Sequence, residues 1–314
     1  MRLILISFFF LVSVALISAD GIKSPSCPLP STPTKDKPKE KPKSSLKKCS
    51  STFEVDLNRI YGGQDANPME FPHQVSLQVR FLDSHICGGT LIDQQWVLTA
   101  AHCFSRGRYP FSWQVKVGEH NLKEKDETER TLRVKRVSKT MYEFLINVIV
   151  HEQYNRTNQV NDIALIQLLE PIDLEKEKHL KTVCLADKNV VVREEYYCMA
   201  SGWGRGNKGR IVTEVLQKLK QPIHNSTECA KIWEKSVWPV TENHICIGDL
   251  QGSKGICNGD SGGPIQCRLR TGEWVQFGIA SWTIRDCISK GYAAVFTGVS
   301  GYLDWIDKQM ETYG

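Results

Sequence analysis

Apolar residues in this chain fall mostly into short runs separated by Gly, Pro, Asn and Asp, and the periodicity within the runs predicts strands. Gln74-Val75-Ser76-Leu77-Gln78-Val79-Arg80-Phe81 alternates polar and apolar positions, as a strand with one buried face does. Trp96 to Ala101 and Asp162 to Leu169 are apolar nearly throughout, which predicts deeper strands. Stretches at helical period are scarce. The exception lies at the far end, where Val299, Leu303, Ile306 and Met310 predict an amphipathic C-terminal helix. With 23 Gly and 13 Pro as punctuation, the pattern is that of an all-β protein.

The first sixty residues are different in kind. Arg2 precedes an apolar run from Leu3 to Ile17 and a small-residue ending at Ser18-Ala19, so residues 1–19 predict a secretory signal peptide and a secreted, extracellular protein. No transmembrane anchor is predicted: that run is too short, and no later segment approaches the roughly 20 apolar residues a span needs. Residues 20–59 read as a pro-segment. Its Pro, Lys, Ser and Thr between Ile22 and Lys48 cannot bury a core and form an extended linker. Residues 1–59 carry ten Lys and Arg against five Asp and Glu, the whole of the formal net charge of +5, while residues 60–314 carry thirty of each. The body of the protein is therefore neutral, which gives no reason to expect a nucleic-acid partner. Anionic-surface contact through the Lys-rich linker is one expectation, and a plain solvated spacer is the alternative. At 314 residues, 41% hydrophobic and 24% charged, the chain can hold one large domain or two smaller ones.

Candidate chemistry centres on Gly259-Asp260-Ser261-Gly262-Gly263-Pro264. A serine hydroxyl is a poor nucleophile unless a base takes its proton and fixed donors hold the oxyanion that follows. The amides of Gly259 and Ser261 can serve as those donors. A base stands in Thr99-Ala100-Ala101-His102-Cys103, and a carboxylate in Asn161-Asp162-Ile163-Ala164-Leu165. Alone, each is most often a turn or a buried histidine. Together, His102, Asp162 and Ser261 resemble, in order and rough spacing, the triad of the trypsin and chymotrypsin family of serine proteases. The resemblance runs from Ile60 to the C-terminus and implies, for residues 60–314, two packed six-stranded antiparallel β-barrels with the active site between them. It implies a serine endopeptidase that needs no metal and no cofactor.

Further expectations follow from that resemblance. Leu57-Asn58-Arg59-Ile60-Tyr61-Gly62-Gly63 is similar to the family's activation junction, so a trypsin-like protease would cut after Arg59 and the new ammonium of Ile60 would pair with Asp260. Ser76 and His85 stand where some members latch that aspartate before the cut. The implied disulfides are Cys87 with Cys103, Cys198 with Cys267, Cys229 with Cys246, Cys257 with Cys287, and Cys49 with Cys184, which leaves Cys27 odd among the 11 cysteines. Substrate-binding candidates are Gly255, Ile256, Ser281, Trp282, Thr283 and Ala294. Gly255, six residues before the nucleophile, stands where trypsin-like members carry an aspartate, and Thr283 where glycine is usual. Both changes imply a shallow apolar pocket that takes Ala, Val or Leu before the scissile bond, as in elastase-like members. A deeper chymotrypsin-like pocket is the alternative, and Lys254 or Lys290 is compatible with an acidic residue there.

Protein or peptide substrates and protein inhibitors are the implied partners. A reading of another class, a non-catalytic protease-fold binding or regulatory protein, is disfavoured because all three triad residues are present. Asn155-Arg156-Thr157 and Asn225-Ser226-Thr227 fit the N-glycosylation pattern. Glu119, Asn121 and Glu129 match a structural calcium loop of some members, with a Lys-rich surface turn as the other reading. Between Arg130 and Ile149 the chain is about ten residues longer than usual for the family, which predicts a surface insertion.

Overall fold

A computed structural model describes residues 46, 48–49 and 63–314, apart from 106, 108–111, 141–142, 147, 189–196, 206–211, 269–272, 285–286 and 288–289. The expected signal peptide, most of the linker, Cys27, Arg59 and Ile60 lie outside the described residues.

Two barrel-like sheets carry the structure. In the first, neighbouring antiparallel strands run in the order Val148–Val150, Ala164–Gln167, Trp96–Thr99, Ser84–Asp93, Gln74–Val79, Trp113–Val117 and Arg130–Arg133. The resemblance implies six strands, and the seventh has a local cause. Arg130–Arg133 and Val148–Val150 act as two halves of one closing strand, the first pairing with Trp113–Val117 and the second with Ala164–Gln167. A bridge between Val134 and Leu168 continues the closure. The predicted insertion forms a separate hairpin, Arg136–Thr140 with Glu143–Ile146, between the halves.

In the second sheet, six antiparallel strands close into a ring: Tyr197–Gly202, Gln217–His224, His244–Ile247, Ala294–Gly298, Trp274–Trp282 and Pro264–Arg268, the last pairing back to the first. Short strands add at its edges. Gln64–Asp65 pairs with Gln217–His224. Cys184–Ala186 lies parallel to Trp274–Trp282, and Lys48–Cys49 lies parallel to Cys184–Ala186. Leu46, just before that strand, is half-buried against the core. Residues 48–49 are thus docked on the second sheet by strand pairing.

Gln74–Val79 departs from its alternating pattern: both faces are buried, not one. The polar face is covered by hydrogen-bonding partners. Ser201 Oγ donates to Gln74 Oε1 at 2.6 Å across the two sheets, and Gln78 Nε2 donates to Ser76 Oγ at 3.1 Å. His73 and Gln266 join the same buried contact. Nearby the sheets approach so closely that a Cβ on Gly88 would lie 2.9 Å from Gly263 Cα, a contact only glycine permits.

Val299, predicted as part of the terminal helix, lies in a 3-10 turn, and the α-helix proper is Leu303–Tyr313. Leu303, Ile306 and Met310 face the core as the spacing predicts. The helix also reaches the first barrel: Trp305 Nε1 donates to Glu152 Oε2 at 2.9 Å, and Gln167 Nε2 donates to the Tyr313 carbonyl at 3.0 Å. The four disulfides Cys87–Cys103, Cys198–Cys267, Cys229–Cys246 and Cys257–Cys287 are present. Cys184 is also disulfide-bonded.

Candidate active site

His102 owes its place to a change of backbone at the end of a buried strand. Trp96–Thr99 ends, Ala100 stays extended, and the chain turns into the 3-10 segment Ala101–Phe104. The Cys87–Cys103 bridge ties this turn to the strand Ser84–Asp93. Asp162 approaches from the loop before Ala164–Gln167 and is wholly buried. Its Oδ2 accepts from His102 Nδ1 at 2.7 Å, and its Oδ1 accepts from the His102 backbone N–H at 2.8 Å. Ser281 Oγ donates to Oδ2 at 2.5 Å, and Thr297 Oγ1 donates to the Asp162 carbonyl at 3.0 Å. The first barrel thus supplies the ion pair and the second barrel braces it.

Burial pulls the imidazole of His102 towards neutrality, but the charge and hydrogen bond of Asp162 outweigh it and hold its pKa above the ordinary value. For Asp162, burial pushes upward and His102, with Ser281, prevails in the other direction, so the carboxyl stays ionised. With Nδ1 committed, Nε2 is the ring nitrogen left for proton transfer.

Ser261 sits in a turn whose backbone is fixed from several directions. The Asp260 N–H donates to the Cys257 carbonyl at 2.9 Å, that of Gly262 to Ala280 at 2.8 Å, and that of Gly88 to Ser261 at 2.7 Å. Gly259 adopts φ +102°, a backbone that side-chain-bearing residues rarely take. Cys257–Cys287 anchors the turn from the other side.

His102 and Ser261 bound one cleft of about 520 Å³, with Trp282, Thr283 and Ile256. Ser281 also borders it, although its hydroxyl is engaged by Asp162. Gly255 and Ala294 lie elsewhere. Gly255 lines a neighbouring cavity, and Ala294 is buried in the strand Ala294–Gly298. Tyr154, Arg156, Gln159 and Trp238 also line the cleft, and none was legible as a site residue. Their direction depends on a loop closed by the Asn155–Val160 bridge, for which the sequence carries no periodic signal.

The neighbouring cavity, about 490 Å³, is bounded by Gly63, Gly202, Gly204, Gly255, Ile256 and Asp260 among others. Asp260 is half-buried and accepts from the Gly204 N–H at 2.8 Å and the Cys257 N–H at 2.9 Å. Burial dominates over these two amides and pushes its pKa up to about 6. Ser76 and His85 do meet: Ser76 Oγ is 2.8 Å from His85 Nδ1, and His85 Nε2 donates to the Gly259 carbonyl at 2.8 Å. Their reach is to the backbone of Gly259 and not to the Asp260 carboxylate. Burial lowers the His85 pKa to about 4, so the ring is neutral.

Away from the cleft, Lys116 Nζ lies 2.9 Å from Glu129 Oε1 and 3.3 Å from Glu119 Oε2. Both Glu119 oxygens are buried without hydrogen-bond partners, and burial pushes that carboxyl up to about 7. Such a donor set suits a hard, oxygen-seeking cation. Asn121 Oδ1 instead accepts from the Lys123 N–H at 3.1 Å. Asn155 is exposed, whereas Asn225 is the N-cap of the α-helix Ser226–Ile232.

Comparison with known proteins gives a consistent picture. A family model described as Trypsin matches residues 60–306. The chain is 37% identical to chymotrypsin-C of Mus musculus over 267 residues, covering 83% of this chain and 92% of that protein. It is 38% identical over 260 residues to trypsin I-P1 of Gallus gallus, covering 82% and 91%.

Proposed function

Because this chain belongs to the trypsin family of serine proteases and is a serine endopeptidase, we propose that it is a secreted precursor, activated by cleavage after Arg59, that cuts after small or medium apolar residues. The observation that carries the reading is the single cleft bounded by His102 and Ser261, with Asp162 hydrogen-bonded behind His102.

In this mechanism Ser261 attacks the peptide carbonyl while His102 Nε2 takes its proton. The carbonyl oxygen becomes an oxyanion held by the amides of Gly259 and Ser261. His102 then gives the proton to the leaving amine, and water repeats the sequence on the acyl-enzyme. Asp162 keeps Nδ1 protonated and steadies the imidazolium, and Ser281 steadies Asp162. Residues Ser281 to Thr283 receive the substrate main chain by strand addition.

Activation follows from the Asp260 cavity. Gly63 lines it, and Ile60 is three residues upstream, so a freed N-terminus is within about 10 Å of chain reach. Its ammonium would supply the cation that Asp260 lacks among the described residues. No Asp or Glu is among the described residues lining the catalytic cleft, which argues against Arg or Lys before the scissile bond and hence against self-activation. Ile256 and Thr283 both line the cleft, which supports the reading of an apolar pocket. Relatives named for chymotrypsin and trypsin are nearly equally identical to the chain, so the preference rests on the pocket residues. Residues 1–19 direct secretion, Asn155 is the better-exposed glycan acceptor, and Glu119 with Glu129 would hold a structural calcium ion.

The test is cleavage of a mixed peptide library by protein cut at Arg59, beside Ser261→Ala, with each cut bond read by mass spectrometry. Cuts after Ala, Val or Leu in the active sample alone are expected. Cuts after Phe or Tyr would favour the deeper pocket, and cuts after Arg or Lys would overturn the specificity reading.

A further inference from the structure

The cleft carries a charge that peptide-bond hydrolysis does not use. Among the described residues lining it with His102 and Ser261, Arg156 alone has a permanent charge. The loop presenting it is preorganised. Gln159 N–H donates to the Asn155 carbonyl at 2.8 Å, Thr157 N–H to Asn155 Oδ1 at 2.9 Å, and Gln159 Nε2 to the Arg156 carbonyl at 2.7 Å. Tyr154 Oη donates to Gln159 Oε1 at 3.1 Å, which fixes the amide from the other side. Gln159 itself takes φ +58°, so the backbone of this loop is committed to one shape.

No carboxylate neutralises Arg156 among the described residues. Glu152, close in sequence, is engaged by Trp305 and Gln309 of the C-terminal helix. Asp162 is buried behind His102 and already ion-paired. Arg156 is exposed, and an exposed guanidinium with no carboxylate partner is open to charge-assisted hydrogen bonding by an anionic group of the peptide. The other described residues lining the cleft bring no competing anion.

We propose that Arg156 is a specificity-determining residue that selects peptides carrying Asp or Glu two to four residues before the scissile bond. The proposal rests on the reading that Ser281 to Thr283 pairs with the substrate chain on the acyl side of the scissile bond, in the same cleft that Arg156 lines. It is distinct from the apolar pocket, which takes the residue directly before the bond. The interaction is electrostatic and part-exposed, so it weakens as salt rises.

The test uses protein cut at Arg59 and peptides with one fixed residue before the scissile bond. Asp, Asn or Lys is then placed at each of the next three positions upstream, and kcat/KM ratios are compared within each protein. Native protein is expected to favour Asp over Lys by about fivefold or more at one of these positions at low salt. Arg156→Glu is expected to invert the ratio, Arg156→Gln to bring it near one, and Arg156→Lys to retain it. A ratio within twofold at all three positions, or one that Arg156→Glu leaves unchanged, overturns the proposal. Absence of any Ser261-dependent cleavage would instead overturn the protease reading beneath it and this proposal with it, and the two failures are distinguished by the uncharged Asn peptides.

Discussion

Asp162 is wholly buried and Asp260 half-buried, and their environments drive the two carboxyls in opposite directions. Asp162 meets an imidazole, a backbone N–H and a hydroxyl, and stays well ionised. Asp260 has two backbone amides and no cation among the described residues, and burial raises its pKa to about 6. Desolvation is common to both, so the difference lies in the partner. The Asp162 cluster holds its own cationic partner, whereas the Asp260 site has none among the described residues. Glu119 stands between them, buried with one ammonium shared by two carboxylates.

The comparison is sharpest at Asp162. Asp162→Asn is expected to lower kcat by on the order of 10⁴, because the amide no longer selects the useful tautomer of His102. Stopped assays on protein already cut at Arg59 measure this. A loss of less than tenfold would mean that the cluster is not the catalytic one.

Asp260→Asn should act differently. Cutting after Arg59 should proceed while activity stays roughly 10² to 10³ below native, the scale of a lost oxyanion donor. The uncut variant should be at least as stable as the native precursor at pH 7. The sign follows from the raised pKa: the neutral carboxyl favours the fold below about pH 4, and that contribution is lost as pH rises through about 6. Thermal melts of both precursors from pH 4 to pH 7 check it, and equal pH slopes would contradict it.

The next effect separates the brace from the base. In cut protein, kcat/KM should fall on the acid side with an apparent pKa above the ordinary histidine value of 6.5, since the working base is the neutral ring and Asp162 favours the charged one. Ser281→Ala should lower kcat roughly tenfold by removing one hydrogen bond to a charged group, with a smaller change in KM. The pH profile of both proteins, fitted to the acid limb, tests the assignment.

The smallest effect belongs to Glu119. Calcium should raise the melting temperature by a few degrees at pH 8 and by less at pH 6, where a carboxyl with a pKa of about 7 is largely protonated. Glu129→Gln should remove the calcium dependence. No shift at either pH would leave the Lys116 ammonium as the partner of Glu119 and Glu129.

Much of this was written plainly in the sequence. The triad segments and the core face of the terminal helix could be read because each depends on local pattern or on motifs in chain order, whereas the four disulfide pairs were expected only from the family resemblance. Ser281 does border the cleft, but its hydroxyl also braces Asp162, a contact across 119 positions of chain that no local spacing encodes. The exposed face predicted for Gln74–Val79 failed for a related reason. Periodicity distinguishes polar from apolar positions, but not polar residues facing water from polar residues facing Ser201 on another sheet. Arg156 was noticed only inside a glycosylation pattern, because the loop that turns it towards the cleft is set by its own hydrogen bonds.

The meeting of Gly88 and Gly263 has a consequence for how such a machine can change. Where a Cβ would come within 2.9 Å of the opposite backbone, there is no clearance to adjust. The alignment of the two halves is a fixed tolerance, and the cleft they frame cannot be widened by substituting the seam. The loops that carry Arg156 and Thr283 are free of that constraint at the glycine seam and line the cleft directly. New preferences can then be tried there without retiming the parts that make and break the bond.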